Sequence, residues 1–174
     1  MADKSTSTDI PAADLVSEEE AKLFELDPHL LNLMWDEPFF SSILRPITKI
    51  RTDSIPTAGV LAKEGSINMW WNPRFLAGLE TIQIKGLLKH ECYHLVFNHT
   101  TTRKHDPHIL WNYATDLAIN SVIPEQELPK GGLIPGKEFE PLTEEQKEKM
   151  GQDAVSRYEL ISSKIASFPR EMSS

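Results

Sequence analysis

Hydrophobic positions near the N-terminus recur at the spacing of a helix. The stretch SEEEAKLFELDPHLLNLMW begins with Ser17, and Ser17 and Glu20 have the spacing of a capping box. Pro28 and Pro38 should divide this region into two short helices, because proline disrupts a helix interior. The N-terminal part of the chain is therefore predicted to be helical.

Residues 43–71 change to short β-rich runs separated by turn signals. The runs are ILRPITKI, AGVLA and SINMWW, with SIP and EG between them. This pattern predicts three strands in a meander, and hence a small, mostly antiparallel sheet. Asn72 and Pro73 then close the last strand and can start a short helix, because asparagine caps a helix well and proline fits its first turn.

Two longer helices are predicted after the sheet. The first covers about residues 80–99, despite Gly86 in its interior, and the second, ILWNYATDLAINSVI, follows the cap Asp106 and ends at Pro124. Residues 124–142 are rich in Pro and Gly and predict either a long ordered loop or a mobile flap. A polar helical sequence, LTEEQKEKMGQDAVSRYELISSKIA, comes last. The predicted fold class is therefore α+β.

Composition excludes several classes of protein. The chain has 174 residues and a net charge of −8. Its single cysteine, Cys92, cannot form an intramolecular disulfide, so we expect the protein in a reducing compartment such as the cytoplasm. An acidic balance argues against a nucleic-acid partner, and no apolar run approaches the roughly 20 residues that cross a membrane. We expect a disordered leader over residues 1–16, without a signal-peptide pattern, and one domain over residues 17–174.

The 80–99 helix contains the pattern H-E-x-x-H, with His90, Glu91 and His94 at its fixed positions. Residues i and i+4 lie about 40° apart on a helix, so both imidazoles can bind one metal ion. Glu91 lies about 100° round from His90, close enough to act on a water at the metal. Zinc lowers the pKa of such a water to about 7, so the pattern predicts metal-assisted hydrolysis.

A catalytic zinc site needs a third protein ligand. His99 lies about 180° round the helix from His90, so it can ligate only if the helix breaks first. His105 and His108, in the connection between the two helices, could also reach the metal.

Asp116 is the preferred third ligand. The second helix carries Asn112, Asp116 and Asn120 at i, i+4 and i+8, in an otherwise apolar segment. A buried carboxylate needs a partner for its charge, and a metal ion supplies one. We expect Asp116 to bind the metal ion. We expect Asn112 or Asn120 to hydrogen-bond one of the metal-binding side chains without touching the metal itself.

The order of these features resembles the putative metallopeptidase domain found in bacteria ahead of a von Willebrand A-like domain, and in phages as a stand-alone protein. The likeness runs from about Pro38 to the C-terminus. The matching residues are Asn72, Pro73, His90, Glu91, His94, His99, Arg103, Trp111, Asn112, Ala114, Asp116 and Asn120.

The resemblance implies a compact zincin of the minimal gluzincin kind. Such a fold has an active-site helix, a small sheet whose edge can pair with an extended peptide, and a second helix that gives the acidic ligand. Because 174 residues leave no room for the von Willebrand A-like partner, we expect the stand-alone, phage-type form.

The expected function is that of a zinc-dependent metallopeptidase acting on a peptide or protein substrate. His90, His94 and Asp116 would bind Zn²⁺, and Glu91 would serve as general base and then as proton donor. A strand between Ala58 and Trp71 would hold the substrate by β-augmentation.

Two other classes stay open at the level of sequence. One is a zincin-fold binding or structural module that cleaves nothing, for example a phage virion or regulatory component; closure of the metal site by His99, His105 or His108 would favour it. The other is a metal-free interaction protein in which H-E-x-x-H is coincidental, which the absence of stoichiometric metal would favour.

Overall fold

The structure is a computed structural model that describes residues 15–97, 99, 108–134, 136–137 and 141–150, together with seven residues between 152 and 163. The predictions made for residues 1–14 and for Arg103, His105 and Asp106 therefore lie outside the described residues. The described helices and strands are α1 (Glu18–Lys22), α2 (Asp27–Asp36), α3 (Pro38–Leu44), β1 (Thr48–Arg51), β2 (Ala58–Lys63), β3 (Ser66–Trp71), α4 (Pro73–Leu76), α5 (Thr81–Val96), α6 (His108–Asn120), a 3₁₀ turn (Glu125–Glu127) and α7 (Glu144–Met150).

The N-terminal helices follow the cap and proline signals. The capping box is present, since the side chains of Ser17 and Glu20 each accept from the other's backbone N–H. Pro28 lies in the first turn of α2, as predicted, but Pro38 starts a third helix that runs to Leu44. The first strand consequently begins only at Thr48, later than the run ILRPITKI indicated.

The sheet is mixed, and the predicted meander is wrong. Its strand order is β1-β3-β2, with β1 parallel to β3 and β2 antiparallel to β3. The physical reason is the connection between β1 and β2, which passes over the end of β3. Backbone bonds from Thr52 N–H to the Trp71 carbonyl (3.0 Å) and from Asn72 N–H to the Thr57 carbonyl (2.7 Å) hold it there, and the Asn72 side chain donates to the Ile55 carbonyl (2.8 Å).

The β2–β3 hairpin was correctly predicted from the sequence EG. Glu64 and Gly65 both have positive φ, 51° and 77°, as a type I′ turn requires. Because β3 lies in the middle of the sheet, β2 is an edge strand, and it lies close to α5.

The helices and the sheet share one main core. The main core includes Met69 from β3, Leu33 from α2, and Ile84 and Leu88 from α5, all at most 1% exposed. A smaller cluster, formed by Ile119, Ile123 and Leu128, joins the end of α6 to the turn that follows it. The architecture is therefore α+β, and it places α5 between the sheet and α6. In the described residues no helix is both long and apolar enough to cross a membrane.

Candidate metal centre

Helix α5 brings the two histidines of H-E-x-x-H onto one side. The helix is fixed at its start by a capping box between Glu80 and Gln83, and its apolar face is buried in the main core. Near its C-terminal end, Nε2 of His90 and Nε2 of His94 lie only 2.9 Å apart, with ring centroids separated by 4.7 Å. Both side chains are largely buried, at 15% and 17% exposed.

Helix α6 adds Asp116 to this pair. Oδ1 of Asp116 lies 3.5 Å from Nε2 of His90 and 3.1 Å from Nε2 of His94. Throughout the described part of the chain, these three form the one group of three or more His, Cys, Asp or Glu residues whose potential ligand atoms all lie within 4.8 Å of one another. The structure thus brings together the three residues that the spacing and the polar stripe singled out.

Asn120 determines which nitrogen of His90 faces Asp116. The Asn120 Nδ2 donates to the Leu133 carbonyl at 2.8 Å, which fixes the orientation of the amide. Its Oδ1, 2.8 Å from Nδ1 of His90, can therefore only accept, so Nδ1 carries a proton. In the neutral ring, Nε2 of His90 then presents a lone pair toward His94 and Asp116.

This donor set fits a divalent metal ion. Two imidazole nitrogens and a carboxylate oxygen converge, and their lone pairs and negative charge repel one another unless a cation lies among them. Two histidines and a carboxylate are ligands that zinc takes in catalytic sites, at distances of about 2.0 to 2.2 Å. The three residues therefore form a group that could hold a metal ion.

The pKa values of Asp116 and His90 without a metal ion also show that this group favours positive charge. Burial alone would raise the pKa of Asp116, but hydrogen bonds to and charge from His90 and His94 outweigh it and lower that pKa to about 2. Burial alone would lower the pKa of His90, but the hydrogen bond and charge of Asp116 raise it overall. The raised pKa of His90 thus favours positive charge at the place that a metal ion would fill.

Glu91 lies beside this group in a largely buried position. It follows His90 on α5, is 5% exposed, and its charge raises the pKa of both His90 and Cys92. Cys92 is fully buried, and this burial is the main reason that its pKa is raised to about 12. A thiol in that state is a poor metal ligand.

The other predicted candidates take different places. His99 lies behind His94, with Nδ1 to Nδ1 at 3.4 Å, so it contacts the far side of that ring instead of joining the group. Asn120 contacts His90, whereas the described hydrogen bonds do not connect the Asn112 side chain to any of the three grouped residues. His105 and the side chain of His108 lie outside the described residues.

Sequence reasoning missed the support that residues 124–134 give to α5. Glu127 Oε2 accepts from Lys89 Nζ at 2.8 Å, and Gly86 touches the backbone at Glu127. The available signal was Gly86 itself, because a glycine inside a strong helix often marks a close approach of another backbone.

The comparison with known families agrees with this description. The family model described as "Putative metallopeptidase domain" matches residues 22–154, and the chain belongs to that family. Neither a curated protein nor a solved structure matches the chain.

Proposed function

We propose that this protein is a zinc-dependent metallopeptidase. The observation that carries the proposal is the convergence of His90 Nε2, His94 Nε2 and Asp116 Oδ1 near Glu91. The family to which the chain belongs is also described as a metallopeptidase domain. Zinc held by the three ligands would polarise the scissile carbonyl and lower the pKa of the attacking water. Glu91 would accept the proton of that water and deliver it to the departing amine.

The position of His99 is in keeping with an open, catalytic site, because this candidate for a fourth ligand contacts the far side of the His94 ring and does not join the group. Structural zinc sites have four protein ligands, whereas catalytic sites have three and leave a position for water or substrate. Within the residues that the structure describes, no fourth His, Cys, Asp or Glu joins the group of three. A binding module that cleaves nothing would have no need of a carboxylate such as Glu91 beside its metal.

The edge strand β2 supports a peptide or protein as the substrate. One side of β2 pairs with β3, and none of the described strands pairs with its other side, where a further strand could add. The strand lies beside α5, the helix that carries the histidines. An extended peptide added to β2 would make main-chain hydrogen bonds along the edge and pass near the metal, as in β-augmentation.

The test is the variant Glu91→Gln, which removes the base but keeps the size of the side chain. We expect zinc to remain bound at one ion per chain while cleavage of a denatured-protein or peptide-library substrate is lost. Glu19→Gln, at an exposed position on α1, is the matched control and should cleave like the wild type. Cleavage by Glu91→Gln at the wild-type rate would contradict the role of Glu91.

A further inference from the structure

The segment of residues 124–134 lies against α5 and is fixed to it at a buried ion pair. Lys89 is 6% exposed and its Nζ donates to Glu127 Oε2 at 2.8 Å and to Glu37 Oε1 at 3.0 Å. Glu127 belongs to the 124–134 segment, whereas Glu37 is the residue between helices α2 and α3. A buried ammonium thus joins the segment to the helix that carries His90.

Gly86 brings the segment and the helix into direct backbone contact. A Cβ atom built at this position would lie 1.9 Å from the Glu127 carbonyl oxygen and 2.6 Å from its carbon. Real Cβ atoms essentially never approach other atoms so closely, so the 3₁₀ turn fits against α5 only because residue 86 lacks a side chain. Since Gly86 and His90 are four residues apart, this contact lies on the same face of α5 as His90.

The far end of the segment reaches a metal-site residue. The Leu133 carbonyl accepts from Asn120 Nδ2 at 2.8 Å, and Asn120 Oδ1 accepts from Nδ1 of His90 at 2.8 Å. Leu133 is 2% exposed and Asn120 is 7% exposed, so water does not compete freely for either bond. Between the two ends, Leu128 packs in the small cluster with Ile119 of α6.

We propose that the 124–134 segment is a positioning element for the metal ligand His90, with Glu127 and Gly86 as its anchors on α5. Anchoring at Glu127 and Gly86 places the Leu133 carbonyl. That carbonyl orients the Asn120 amide, and the amide orients the His90 ring. This inference rests on the metal site of the proposed function, and it assigns a role in metal binding to residues that supply no ligand atom.

The test compares two variants that remove one carboxylate each from Lys89. Glu127→Ala acts on the 124–134 segment, whereas Glu37→Ala removes the other carboxylate of the same ammonium, which also pairs with Lys85 at 3.0 Å. The zinc dissociation constant is measured by competition with a chromophoric chelator, and the free energy of unfolding of each metal-free protein is measured with urea. We expect Glu127→Ala to weaken zinc binding about tenfold, the lower end of the effect of outer-sphere partners, and Glu37→Ala to stay within about twofold of wild type.

The visible spectrum of the Co²⁺-loaded proteins gives a second readout that lost stability alone would not change. We expect Glu127→Ala to shift the absorption bands, because the His90 ring is reoriented, and Glu37→Ala to keep the wild-type spectrum. If Glu127→Ala does not fold, Glu127→Gln and Glu37→Gln give the same comparison with smaller changes in volume. Gly86→Ala, which displaces the turn without removing a charge, should weaken zinc binding in the same direction.

The outcomes separate this inference from the proposed function. Equal zinc affinities and identical spectra for the Glu127 and Glu37 variants would overturn the positioning role while leaving the peptidase proposal intact. Failure of the wild-type protein to bind zinc at all would overturn the metal site itself, and the positioning role with it.

Discussion

Nδ1 of His90 lies 2.8 Å from Oδ1 of Asn120, on the side of the imidazole ring away from Asp116. Metal-ligating histidines commonly donate their second ring N–H to such an acceptor, which fixes the tautomer and the plane of the ring. Here the acceptor is itself fixed, because its amide nitrogen is bound to the Leu133 carbonyl.

The first prediction follows from this pair. Asn120→Ala should weaken zinc binding by about 10- to 100-fold, because His90 loses its orienting partner and the Leu133 carbonyl loses its donor. Asn120→Asp keeps an acceptor for His90 and should recover part of the loss. Titration of the metal-free variants with zinc against a competing chelator measures both effects, and wild-type affinity for Asn120→Ala would contradict the assignment.

Asp116 is expected to contribute its charge as well as an oxygen atom. Asp116→Asn keeps the shape and one oxygen but removes the negative charge that faces two imidazoles, so zinc content after dialysis should fall well below one ion per chain. Asp53→Asn, an exposed change outside the helices and strands, is the control and should retain full zinc content. Elemental analysis of the two purified variants decides the matter, and full zinc in Asp116→Asn would exclude the carboxylate as an essential ligand.

Zinc binding should weaken as the pH falls from about 8 to about 6, because a histidine must be neutral to ligate. The pKa of His90 is raised in the metal-free protein, so protons compete for its Nε2 already above the ordinary histidine value of about 6.5. Asp116, with a pKa lowered to about 2, stays ionised over this range and adds nothing to the slope. Dissociation constants measured at several pH values test this, and a flat profile would contradict it.

Removing the metal should lower the thermal stability of the whole domain. A ligand that binds only the folded state at about 100 times its dissociation constant stabilises by about 2.7 kcal/mol. For a chain of this size, that corresponds to a Tm difference of roughly 5 to 10 °C between zinc-loaded and chelator-treated protein. Calorimetry at fixed pH and protein concentration measures it, and adding zinc back should restore the original Tm.

The candidate site could be predicted from the sequence because its information is local. The pair His90 and His94 follows from an i, i+4 spacing, and Asp116 follows from a polar stripe on one apolar helix. Each pattern lies within a few turns of a single helix. Packing of α6 beside α5 then brings the two patterns together, although no spacing in the sequence shows this directly.

The sheet topology and the role of the 124–134 segment could not be predicted in the same way. The turn residues after β1 indicate that the chain changes direction there. They do not indicate that it crosses over the end of β3, because that path depends on hydrogen bonds from Asn72 to the carbonyls of residues 55 and 57. The fit of Glu127 against Gly86 joins positions about forty residues apart. Such contacts depend on tertiary packing, which hydrophobic periodicity does not record.

Removing the buried ammonium of Lys89 should lower the free energy of unfolding far more than removing the neighbouring ammonium of Lys85. Lys89 is buried between Glu37 and Glu127. Lys89→Met takes this partner from the buried Glu127, while Glu37 keeps Lys85 at 3.0 Å, and it should destabilise the protein by about 3 kcal/mol. Lys85→Met acts one helical turn away on a more exposed ammonium that pairs with the half-exposed Asp36 at 3.3 Å and with Glu37 at 3.0 Å. Because Glu37 keeps Lys89 in this variant, it should cost at most about 1 kcal/mol.

Urea unfolding of both metal-free variants measures the difference, and the matched substitution cancels the effect of the added methionine. Because Lys89 also anchors the 124–134 segment, Lys89→Met should weaken zinc binding in the fraction that stays folded, whereas Lys85→Met should not. Equal losses of stability in the two variants would show that burial does not distinguish these two ammonium groups, and would remove Lys89 as the anchor of the segment.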